Sequence, residues 1–126
     1  MIILYIDDDE DDLVLFQAAM VEVDPSCQYF QASDGKKGLS MLQSITPDYI
    51  FLDVNMPCMS GLTVLETIRA DKQLRDIPTI MFSTTIRAED ELVYRNKGAN
   101  GCIEKPNTFH ELCNILRSVF SHEEIF

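Results

Sequence analysis

The residues with chemical potential in this chain are the six consecutive acids Asp7 to Asp12, then Asp53, Ser83 and Lys105. Each of Asp7-Asp8, Asp53, Ser83 and Lys105 directly follows a short, largely apolar run. If those runs are parallel strands, their carboxyl ends meet at one edge, where the ligand crevice of an open α/β sheet lies. Three carboxylates brought together there repel and raise one another's pKa unless a cation sits between them. An all-oxygen donor set in a water-accessible cleft suits Mg²⁺ (or Mn²⁺), which keeps several waters and needs few protein ligands. A carboxylate left free can act as a nucleophile and form an acyl phosphate. A bound metal and Lys105 would neutralise charge on a transferring phosphoryl group, with Ser83 as hydrogen-bond donor.

The elements that must position these groups are legible from periodicity. Ile2 to Ile6 and Tyr49 to Leu52 are short apolar runs, as expected of strands buried on both faces. Thr79 to Phe82 is a further buried strand, Gly101 to Glu104 a short one, and Cys27 to Gln31 a more polar outer one. Between them lie helical patterns. The first opens on acids suited to the positive end of a helix dipole and carries Leu13, Phe16 and Met20 with Val14, Ala18 and Val21 as its buried stripe. The second is marked by Leu39, Leu42 and Ile45, and the third, after Gly61, by Leu62, Leu65 and Ile68. The fourth, Arg87 to Lys97, has a sparse apolar face (Leu92, Val93, Tyr94) and a stop at Gly98. The fifth begins at a Thr108/Glu111 capping box and buries Phe109, Leu112, Cys113, Leu116 and Phe120. Five strands alternating with five helices predict an α/β fold: a doubly wound, five-stranded parallel sheet of order 2-1-3-4-5, flavodoxin-like.

With 126 residues, 46% of them hydrophobic, the chain supports one domain with a true core. Its net charge of −11 disfavours nucleic acid and anionic membrane and favours cationic partners or a divalent metal. The four cysteines (27, 58, 102, 113) have no metal-ligand spacing and read as reduced thiols of a cytoplasmic protein. The start runs straight into a strand, unlike a signal peptide, and no run approaches the ~18 apolar residues that span a bilayer. The expected organisation is one domain over residues 1–121, a tail over 122–126 and no output domain. His110 and His122 occupy exposed positions and are not expected to be ligands, and Met56, Met59 and Met81 read as packing.

The acidic pair in YIDDDED, the aspartate in FLDVNMPCMSG, the hydroxyl in IPTIMFSTT and the lysine in GANGCIEKPN together resemble the receiver domain of two-component response regulators (CheY-like), over essentially the whole chain. The resemblance implies Asp53 as phosphoacceptor, Asp8 as a direct Mg²⁺ ligand, Asp7 acting mainly through water, and Asn55 giving its backbone carbonyl to the metal. It implies that Ser83 and Lys105 bind the phosphoryl group, and that the peptide before Pro106 is cis. The implied donor is a phosphohistidine of a histidine kinase or histidine phosphotransfer protein. The output is a changed contact with a downstream protein, with a homodimer on phosphorylation as a further possibility. The protein would catalyse only its own phosphorylation and dephosphorylation.

Two positions depart from the family pattern. Cys102 stands where a Tyr or Phe usually precedes the lysine by three, so the aromatic half of the switch at Ser83 and Cys102 is missing. Thr84 replaces the usual Ala or Gly and narrows access to a phosphoryl group. New bonds from Ser83 and Lys105 would supply roughly 3–6 kcal/mol against the ~5.5 needed to invert a 1:99 equilibrium, with the Arg87–Lys97 helix as the bistable element. Other readings are weaker. An EF-hand fails because Asp12 stands where the calcium loop needs Gly. An aspartate-nucleophile phosphatase would use Asp7 and Asp9 as its Asp-x-Asp pair, and an unphosphorylated interaction module would leave the site unused. Asp9 to Asp12 read as a solvated helix start.

Overall fold

Short apolar runs and period-3.6 patterns alternate along the chain, and the computed structural model, which describes residues 1–121, follows that alternation. The elements are β1 (Ile2–Ile6), α1 (Glu10–Val23), β2 (Gln28–Ala32), α2 (Gly35–Met41), β3 (Tyr49–Leu52), α3 (Gly61–Ala70), β4 (Thr79–Ser83), α4 (Ala88–Asn96), β5 (Gly101–Glu104) and α5 (Phe109–Phe120). The sheet is parallel in the order β2-β1-β3-β4-β5. The fold expectation therefore holds. His122 and the tail over 122–126 lie outside the described residues.

Strand parity divides the core into two layers. Ile3, Tyr5, Phe51, Ile80, Phe82 and Ile103 face α1 and α5, while Leu4, Ile6, Ile50, Leu52 and Met81 face α2 and α3. On the first face Phe16 stacks on Tyr5 at 4.2 Å between ring centroids and meets Phe51 edge-on at 5.1 Å. Such aromatic pairs contribute beyond their buried area and fix the seating of α1 on the sheet.

The buried stripe of α1 is narrower than expected. Leu13, Phe16, Ala19 and Met20 are buried, whereas Val14 and Val21 are 65% and 62% exposed and Ala18 is exposed. The spacing 14, 18, 21 is itself helical, but at ~100° per residue it points about one residue-step round from the stripe that meets the sheet. Phe109 is likewise exposed, because the first residue of α5 precedes the turn that meets the core. The second helix ends at Met41, so the buried Leu42 is its cap and the half-buried Ile45 lies beyond the turn that follows.

The fourth helix buries none of its residues, as its sparse apolar face implies. It stops at Gly98, whose φ of +109° requires glycine. Among the described residues no helix is long and apolar enough to cross a membrane.

Candidate functional site

Backbone bonding carries the sheet one residue past the strands and lines up the chemical groups. The Asp7 N–H donates to the Ala32 carbonyl (3.1 Å), Asp53 N–H to Ile6 (2.9 Å) and Lys105 N–H to Ser83 (2.8 Å). Asp7, Asp53, Ser83 and Lys105 thus stand along one edge. One carboxylate oxygen from each of Asp7, Asp8 and Asp53 lies within 4.8 Å of the others.

Lys105 binds this cluster together. Its ammonium donates to Asp7 Oδ2 at 2.8 Å and to Asp12 Oδ2 at 2.7 Å, and lies 3.3 Å from Asp53 Oδ1. The lysine side chain is 13% exposed, against 0% for Asp7 and 7% for Asp53, so the ion pairs are held largely out of water. Burial alone would lower the Lys105 pKa. The hydrogen bonds to Asp12 and Asp7 and the surrounding negative charge outweigh it and push the pKa above its ordinary value.

Asp53 has the opposite balance. Desolvation, then the charge of Asp7, push its carboxyl up to about 6 despite the opposing pull of Lys105. One ammonium does not neutralise this many carboxylates, and the all-oxygen donor set of Asp7, Asp8 and Asp53 fits a hard divalent ion such as Mg²⁺ or Mn²⁺.

Asp7 is held from both sides. Oδ2 accepts from the Tyr5 hydroxyl as well as from Lys105, and Oδ1 accepts from the Asp9 N–H at 2.9 Å. Burial and the neighbouring Asp7 charge push the Tyr5 phenol pKa up, so it stays a donor. Asp9 turns away from the cleft: its carboxylate caps α1, accepting from the N–H groups of Asp11 (2.9 Å) and Asp12 (3.1 Å). That capping role removes it from an Asp-x-Asp catalytic pair with Asp7.

The loop after Asp53 is tightly wound. Asn55 and Cys58 are exposed, and Cys58 sits at φ +68°. Gly61 packs against the aspartate's own backbone: a Cβ there would lie 2.1 Å from the Asp53 carbonyl oxygen. Gly61→Ala should therefore destabilise the protein by about 1–3 kcal/mol, through backbone displacement at Asp53. Urea unfolding of the variant measures this, and an unchanged midpoint would show that the loop yields freely.

The comparisons decide the family. The response regulator receiver domain matches residues 3–117. The chain belongs to that family. This receiver domain is 36% identical over 90 residues to the chemotaxis protein CheY-3 of Vibrio cholerae, covering 71% of this chain and 69% of that protein. It is 33% identical over 119 residues to the DNA-binding regulator RpaA of Synechocystis, covering 93% of this chain and 48% of the longer protein. Among solved structures it resembles the phosphorylated cyanobacterial phytochrome response regulator RcpA, with a TM-score of 0.85 and 26% identity over 94% of this chain and 89% of that one. Vibrio cholerae CheY4 superposes with a TM-score of 0.82 and 27% identity, over 94% and 97%.

Three features of the receiver site differ from the sequence reading. The peptide before Pro106 is trans, not cis. The trans form is the intrinsically preferred one by ~0.5–1 kcal/mol, and Lys105 reaches both Asp7 and Asp12 with it. Asp12 is not merely a solvated helix acid, since helix geometry turns it toward Lys105. Tyr5, read only as part of an apolar run, is the third group bound to Asp7; lying two residues before Asp7 on one strand face, it was within reach of parity reasoning. Of the remaining positions, Ser83 is buried, Cys102 half-buried and Thr84 exposed. His110 is exposed and pairs with Asn114 on its own helix. Met56 and Met81 are buried and Met59 half-buried.

Proposed function

We propose that this receiver domain is a phospho-accepting switch of a two-component phosphorelay, with Asp53 as the acceptor. The observation that carries the reading is the convergence of Asp7, Asp8 and Asp53 on one small volume with Lys105 beside them. In the step proposed, an Asp53 carboxylate oxygen attacks the phosphorus of a phosphohistidine on a partner kinase or phosphotransfer protein. The new O–P bond forms as the P–N bond breaks, and the imidazole leaves with the electron pair. Asp7 and Asp8, with Asp53 and the Asn55 backbone carbonyl, would hold Mg²⁺ or Mn²⁺, which when bound neutralises charge on the phosphoryl oxygens. Lys105 would then pair with one of these oxygens and Ser83 donate to another.

The Ser83 loop leads directly into α4, whose residues are all at least partly exposed, and this makes α4 the element whose packing changes at least cost. Glu104 ties that loop to β5, accepting from the Ile86 N–H at 3.0 Å. With Cys102 in place of an aromatic ring, the readout runs through this loop and α4 and not through a ring moving inward. The output is contact with a downstream protein, or with a second copy, at the face of the last two strands and helices. No external substrate is turned over. The acidic surface and the four free thiols agree with a cytoplasmic signalling protein that binds neither nucleic acid nor membrane.

Intact mass after incubation with a small acyl phosphate and Mg²⁺ tests this. One added phosphoryl is expected on the wild type and none on Asp53→Ala. No gain on the wild type, or a gain surviving that substitution, overturns the reading.

A further inference from the structure

The shortest contact Lys105 makes is with Asp12, on the first turn of α1. Asp7 is fully buried and fixed by Tyr5 and by the Asp9 N–H, so it cannot release the lysine cheaply. Asp12 is 31% exposed, and among the described residues its carboxylate has no hydrogen bond besides the one to Lys105. Asp53 is the most distant of the three, at 3.3 Å. A hollow of about 180 Å³, lined by Leu15, Phe16, Phe82 and Leu112, runs alongside Lys105 and Asp12 and gives the lysine stem room to move.

We infer that Asp12 is a positioning residue that competes with the phosphorylated acceptor for Lys105, holding the ammonium back from Asp53 in the resting protein. This deepens the proposed function and rests on it. Drawing Lys105 toward a phosphoryl oxygen on Asp53 pulls its ammonium away from Asp12, the more exposed of its two hydrogen-bond partners. The exchange subtracts from the stability of the phosphorylated form. Asp12 thereby sets the resting level and lifetime of the signal without touching the phosphoryl group.

The test is beryllofluoride binding, followed by fluorine NMR or calorimetry in Mg²⁺, for the wild type, Asp12→Asn and Asp11→Asn. Asp12→Asn keeps the shape of the side chain, and the α1 cap is untouched because the Asp12 backbone N–H, not its carboxylate, bonds Asp9. Asp11→Asn removes an equal charge from the same turn, where Asp11 is exposed and its backbone N–H bonds Asp9. Asp12→Asn should bind beryllofluoride about threefold to tenfold more tightly, the scale of a partly exposed charge-assisted contact. Asp11→Asn should change it less than twofold. Mg²⁺ affinity without beryllofluoride should not rise in either. Unchanged or weaker beryllofluoride binding by Asp12→Asn overturns the inference, as does an equal gain in Asp11→Asn, which would mark a general charge effect. Failure of the wild type to bind beryllofluoride overturns this inference and the proposed function together. Wild-type binding that is lost in Asp53→Asn upholds the proposed function whatever Asp12 does.

Discussion

Replacing Lys105 with Met lowers the stability of the metal-free protein at pH 7.5 by about 3–5 kcal/mol, the range for breaking a buried ion pair by removing one partner. Met is similar in volume, so lost packing contributes little; the loss comes from stranded carboxylates. Asp7 is fully buried and Asp53 nearly so, and without the ammonium both face uncompensated charge. The raised pKa of Lys105 gives the sign. Its stabilising effect is complete below the ordinary lysine value near 10.5 and lost only as pH rises beyond the still higher folded value. In the wild type it is therefore constant on the alkaline side of the Asp53 titration near 6, up to about pH 9. The variant behaves differently: its deficit shrinks toward pH 4 as carboxylates protonate, and Mg²⁺ stabilises it more than it does the wild type. Urea unfolding at several pH values, with and without Mg²⁺, measures both effects. A deficit independent of pH and of Mg²⁺ would assign the loss to packing.

Asp53→Asn is expected to act in the opposite direction. The Asp53 carboxyl is raised from 3.8 to about 6, burial being the first cause and Asp7 the second. A raised acid favours the folded state most when protonated, so that contribution is full below about pH 4 and lost as pH rises through about 6. A shift of this size corresponds to about 3 kcal/mol. The metal-free Asn variant should therefore gain on the wild type by about 2–3 kcal/mol between pH 4 and pH 7.5. In saturating Mg²⁺ the advantage should shrink or reverse, because the wild type binds the ion more tightly and is stabilised by mass action. Thermal unfolding of both proteins in chelator and in Mg²⁺ checks this, and a gap that does not vary with pH would show that Asp53 carries no strain from charge. Together the two substitutions describe a site whose Asp53 carboxylate is held in an unfavourable ionised state until a cation relieves it.

The readable part of this protein was what repeats locally. Apolar runs of strand length and helical stripes predicted the sheet order, and the residue after each run predicted which groups share its edge. Side-chain alternation made that possible, because a buried parallel strand leaves few choices for where its last residue emerges. Gly98 and the weakly packed α4 were legible for the same local reason. Tertiary structure alone decided which of several apolar faces became core. Val14, Ala18 and Val21 form as regular a stripe as Leu13, Phe16 and Met20, and only the docking of Phe16 onto Tyr5 and Phe51 chose between them. It also decided the partners of Lys105. Asp12 lies 93 residues away along the chain, and a hydrogen bond across that separation depends on how α1 and the β5–α5 loop pack, which no spacing rule encodes.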